Sequence, residues 1–168
     1  MTEMPPDSPS LASTDRLLDA LTSFLTCMHA AVPDICSSSL IHGESYVPFD
    51  PDSDSDCSAD DAACSQLWVR ISNAAPLLQP GWHPGCSIEM QMTLEVGVIR
   101  CIDIPEGGEA PTETDVFAAA VQSTTDMDAL LHAALCCDVW TSLDSPAWSP
   151  LGPLGGQFGG TWAFTVTL

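Results

Sequence analysis

Few side chains in this sequence have the types and spacing that chemistry needs, and each such group is incomplete. His42 and Glu44 stand as H-x-E, the opening half of a zinc-deaminase signature in which the histidine holds the metal and the glutamate moves the proton. The second half, P-C-x-x-C, is missing, because Pro84, Gly85 and Cys86 have no cysteine three residues on. Asp50, Asp52, Asp54, Asp56 and Asp61 fall on alternating positions of a calcium-loop frame, where hard oxygen ligands belong. Ser55 stands where that frame requires glycine, Pro51 disturbs the turn and neither flank reads as a helix, so the segment is taken as a solvated acidic loop. Cys136 and Cys137 are adjacent within a helical pattern and point in different directions, which is not a metal-pair spacing, and neither His132 beside them nor His83 completes a site. There is no G-x-S-x-G elbow. Gly155, Gly156, Gly159 and Gly160 precede a strand, whereas phosphate loops follow one and open a helix. Without lysine, Schiff-base and P-loop chemistry are also closed. The reading is of a non-enzyme with no catalytic residue, metal or cofactor.

Charge says more about partners. The chain has 23 acidic residues against three arginines, Arg16, Arg70 and Arg100, for a net charge of −20 on 168 residues. Proteins that grip nucleic acid neutralise phosphates with Lys and Arg, and anionic membranes are held by the same side chains, so both partners are disfavoured. A surface of this sign suits a part that DNA slides past without adhering, and it also confers plain solubility. Residues Met1–Ser10 lack the basic start and apolar run of a secretory signal, and no stretch has the apolar length to cross a bilayer. Folding in a cytosol is expected. There, the eight cysteines serve as small buried apolar residues, and Cys57 and Cys64 are the pair to watch if the protein later meets an oxidising medium.

The elements that must position these residues follow from periodicity. Residues 1–12 read as a disordered arm, and residues 13–168 as one domain carrying an acidic loop at 43–63. Leu17, Leu18, Leu21, Phe24, Leu25 and Met28 form a helical stripe that starts near Thr14 or Asp15 and stops at Pro33. Leu67, Val69 and Ile71 alternate as a short strand. From Ser87 to Val98 the alternation is unbroken, with Glu89 and Glu95 on the wet face, and one long strand bent near Gly97 is expected. Thr112 with Asp115, then Thr125 with Asp128, make two capping-box patterns, giving one helix or two joined at Ser123–Thr125. The Pro- and Gly-rich stretch Ser142–Gly160 reads as irregular, and Trp162, Phe164, Val166 and Leu168 alternate in a closing strand. The order predicts an α+β fold, an antiparallel or mixed sheet with two helical elements on one face.

That order, the segment Gly155-Gly156-Gln157-Phe158-Gly159-Gly160-Thr161-Trp162 running into a Thr-rich strand, and the acidic, lysine-free composition together resemble the tail terminators and related neck proteins of long-tailed bacteriophages of actinobacterial hosts. The resemblance spans the chain apart from the arm and the acidic loop. It implies a structural virion protein forming a ring, usually of six copies, at the head–tail junction. Such a ring ends growth of the tail tube and offers the docking surface for the head. The partners implied are other copies of the chain, the tail tube protein and a head completion or stopper protein, with DNA passing through unbound. On this reading Gly156, Gly159, Gly160 and Trp162 are candidate subunit-interface residues, and Glu89 and Glu95 line the channel. Two alternatives are a stopper protein of the same neck and an acidic mimic of nucleic acid that blocks a host enzyme.

Overall fold

A computed structural model describes residues 10–41, 65–77, 89–102, 110–154 and 157–167. The elements run α1 (Ser10–Ala31), β1 (Ser37–Ile41), β2 (Gln66–Pro76), β3 (Met90–Cys101), α2 (Glu113–Cys136), β4 (Ser142–Leu154) and β5 (Gln157–Thr167). The strands form one sheet in the order β1-β2-β3-β5-β4, with β1 parallel to β2 and every other pair antiparallel. This is an α+β fold with a mixed sheet, as the element order predicts.

The alternation in β3 decides which face is covered. Met92, Leu94, Val96 and Val98 are buried, and their register partners, including Val69, Trp162 and Phe164, share that face. Leu21, Phe24 and Met28 of α1 and Leu130 and Ala134 of α2 pack into the same core. Both helices therefore cover one side of the sheet; of the stripe read along α1, Leu21, Phe24 and Met28 are buried, Leu17 and Leu25 half-buried, and Leu18 is 55% exposed. Phe24 meets Trp140 edge to face at 5.6 Å between ring centroids, while Trp162 stacks on Phe164 at 5.8 Å.

Several expectations are corrected. The first helix begins at Ser10, not near Asp15, and takes in residues assigned to the arm. β3 keeps continuous register with β5 straight through Gly97; the irregularity falls in β2, between Ile71 and Asn73. Gly97 is small for another reason: the Trp68 indole lies over it on the face away from the helices, and a Cβ would collide with the ring. Thr112 does build the capping box, accepting from the Asp115 N–H at 3.3 Å while its own N–H donates to the Asp115 carboxylate at 2.9 Å. The Thr112 hydroxyl and N–H hold the Asp115 carboxyl below the usual carboxylate range, so this cap is complete above the ordinary Asp pKa and is lost as pH falls through the lowered one. The second box does not form. Thr124 and Thr125 donate back to the Ala120 and Val121 carbonyls, and α2 is one uninterrupted helix.

The stretch expected to be irregular is β4, hairpinned onto β5. Its prolines are tolerated because it is an edge strand with one side free of ladder partners, and the register breaks between Asp144 and Ala147, where Ser145 takes a positive φ of 54°. The cysteines are corrected too. Cys27 and Cys137 form a disulfide joining α1 to the C-cap of α2 across 110 residues of sequence, Cys36 and Cys101 are also disulfide-bonded, and Cys136 is a free, exposed thiol. The acidic loop, with Cys57 and Cys64, lies outside the described residues, as do His42, Glu44, His83, Gly156 and the first nine residues.

Candidate functional site

Gly159, Gly160 and Trp162 have work within one chain. Gly159 adopts φ +149°, a region L side chains rarely enter, and a Cβ there would run into the Val98 carbonyl of β3. Its own carbonyl accepts a hydrogen bond of 3.2 Å from the Ser123 hydroxyl of α2. Gly160 lies beneath the Trp148 indole of β4, with no room for a Cβ. Trp162 is 8% exposed, and its indole N–H donates to the Met127 carbonyl of α2 at 2.8 Å. All three are buried positions of the single chain, where they fix the approach of α2 and β4 to β5; none is part of its surface. Gly160→Val is therefore expected to destabilise the isolated subunit by about 2–3 kcal/mol through overpacking against Trp148, read as a lower urea midpoint. An unchanged midpoint with failed assembly would restore these glycines to an interface.

Of the two acids expected along a channel, Glu89 is exposed just ahead of β3. Glu95 faces away from the helices and is ion-paired, accepting from Arg70 Nε at 2.8 Å and Nη2 at 2.6 Å. Its charge is largely cancelled at short range, so it adds little to any distant field.

The second ion pair was not foreseen. Arg100 grips Asp126 of α2 through Nε–Oδ2 at 2.6 Å and Nη2–Oδ1 at 3.0 Å, with Asp126 1% exposed. Arg100 Nη2 also donates to the Pro33 carbonyl beyond α1 at 2.9 Å, and Gln122 donates to Asp126 Oδ1 at 2.9 Å. The carboxylate has no oxygen left unpartnered, which makes it a clamp between α1, β3 and α2, not a free acid for chemistry. A readable signal existed: Arg100 continues the buried parity of Met92 to Val98, and Asp126 lies one and two helical steps of four before Leu130 and Ala134. With Arg70 and Arg100 both committed to carboxylates, Arg16 on the exposed side of α1 completes the cation inventory.

Of the apolar residues that follow the Thr112 cap on α2, Phe117 is 69% and Val121 51% exposed. Burial of Ala119, Asp126, Leu130 and Ala134 sets the rotation of the helix, and at 100° per residue Phe117 and Val121 then point to the far side. Beside this outward stripe a cleft of about 290 Å³ opens between α2 and the β4–β5 hairpin, walled by Met127, Trp148, Leu151 and Phe158. Among the described residues, no group of three or more His, Cys, Asp or Glu side chains is arranged to hold a metal, and no helix is long and apolar enough to cross a membrane. His132 and Cys136, one helical step apart on α2, approach to 3.8 Å at an exposed position. No protein-family model and no curated protein matches the chain.

Proposed function

We propose that this chain is a non-enzymatic structural subunit of a virion, a tail terminator that assembles as a ring of about six copies at the head–tail junction. In this role it ends growth of the tail tube on one side, presents a docking surface for a head completion protein on the other, and lets DNA through its bore. The observation that carries the reading is the commitment of the cations. In a chain of charge −20, Arg70 and Arg100 are spent on Glu95 and Asp126, so a wall built from this protein offers passing DNA almost nothing to adhere to. The Cys27–Cys137 disulfide adds support, since such bonds persist in particles that leave a reducing cell. A rigid α+β subunit with outward apolar side chains on α2 suits assembly by surface contact without chemistry.

Antibody-gold labelling of particles from an infected culture, imaged in negative stain, tests the location directly. Label is expected at the junction of head and tail. Particles that carry no label would remove the structural role and leave an acidic inhibitor of a host nucleic-acid enzyme in its place.

A further inference from the structure

The charge of this chain is unevenly placed. Between Asp115 and Asp126 no residue is charged, and none is charged after Asp144. The fold brings these two neutral segments together, because the first half of α2 packs beside β4 and β5, where Ser123 bonds Gly159 and Trp162 bonds Met127. Among the described residues the outcome is one surface without charge on a strongly acidic chain. Beside exposed threonines and serines it presents large apolar side chains: Val116 is 41%, Phe117 69%, Val121 51% and Leu151 38% exposed. Two of them, Val116 and Leu151, line the cleft of about 290 Å³. Four outward apolar side chains beside an apolar recess are the anatomy of an interface core.

We infer that this surface, the first half of α2 with the β4–β5 hairpin, is where a second copy of the same chain docks, an inference that rests on the ring-forming role proposed above. The argument for that occupant is electrostatic. A basic partner would be drawn to the acidic parts of the molecule and would gain nothing from its neutral part. A second copy, itself at −20, is repelled by those acidic parts, and in a ring, where a different face of the next copy meets this one, the uncharged surface opposes its approach least. Glu113, Asp115 and Asp128 flank the stripe on α2 and Asp144 precedes it on β4, so residual repulsion between copies comes from the rim and is screened by salt. Self-association through this surface must therefore tighten as salt rises, the reverse of binding to a basic partner.

Sedimentation of the full chain over a range of concentrations, at low and at high sodium chloride, reads this directly, with Phe117→Asp and Val121→Asp as test variants and Leu135→Asp as control. Leu135 is also apolar, on α2 and 62% exposed, but lies at the far end of the helix. Expected are wild-type self-association that strengthens with salt, weakening by about thirtyfold or more in Phe117→Asp and Val121→Asp, and wild-type behaviour in Leu135→Asp. Should an aspartate variant lose its helical circular dichroism, Phe117→Ser and Val121→Ser give the same comparison. Copies that associate equally well in wild type and in both test variants would overturn this surface and leave the ring intact. Association that weakens with salt would overturn it as well. A wild-type chain that stays monomeric throughout would overturn both this contact and the ring, while the labelling of particles would still report whether the protein belongs to a virion.

Discussion

Replacing Cys27 and Cys137 together by serine is expected to lower the unfolding free energy by about 3–4 kcal/mol. The bond closes 110 residues of sequence and ties the second half of α1 to the residue that ends α2, with the two Cα atoms 6.3 Å apart. Closing a loop of that length restricts the unfolded chain by an amount worth up to about 4.7 kcal/mol in the chain-entropy account. Cys36 and Cys101 are held in disulfides as well, so the unfolded chain is already restricted and the loss should fall below that ceiling. For a domain of this size the change corresponds to a fall of about 10 °C in Tm. Urea titrations of the double variant and of Cys136→Ser check it, since Cys136 is free and exposed and its serine variant should match wild type. A double variant as stable as wild type would show that packing of Phe24, Met28, Leu130 and Ala134 alone holds the helices together.

How much of this was legible in the sequence depends on whether the deciding force was local. The stripe on α1, the alternation in β3 and the capping box at Thr112 rest on contacts within a few residues, and each appears as read except that Leu18 of the stripe is exposed. β4 was unreadable because Pro146, Pro150 and Pro153 break the local strand pattern; only its place at the sheet edge makes them acceptable, and that place is set by the whole topology. The Cys27–Cys137 bond joins residues with no periodic relation. The rotation of α2 is set by distant contacts as well. Val116, Phe117 and Val121 outweigh Ala119 in any count of apolar residues, but Asp126 must meet Arg100 and Leu130 must enter the core, so the helix turns its larger side chains outward. A count of apolar residues passes over Asp126; its register with Leu130 and Ala134 is the signal that places it on the buried face. The candidate glycines have close neighbours within the chain, the Val98 carbonyl at Gly159 and the Trp148 indole at Gly160.

That buried charge supplies the other large effect. Asp126→Ala is expected to cost about 3–5 kcal/mol, because it strands the Arg100 guanidinium, 9% exposed, without its carboxylate. Arg100→Met should cost a similar amount by stranding Asp126, with Gln122 its remaining donor. The double variant Arg100→Met with Asp126→Leu is expected to regain most of the loss, since the attraction of such a pair roughly offsets its desolvation and two apolar side chains can fill the space. Recovery should stop about 1 kcal/mol short, because the Pro33 carbonyl loses the donor that Arg100 provides. Denaturant titration of all four proteins gives the coupling as a double-mutant cycle, and a double variant no more stable than the singles would mean that the clamp cannot be replaced by packing. The cycle also bears on assembly. Leu130 and Ala134 in the core, the Trp162 hydrogen bond to Met127 and the Cys27–Cys137 disulfide still hold α2 in the double variant, so Phe117, 69% exposed in the native chain, stays outward. Stability recovered together with unchanged self-association is then the expected pairing, whereas self-association lost at recovered stability would show that the clamp, and not these other contacts, keeps the apolar stripe facing outward.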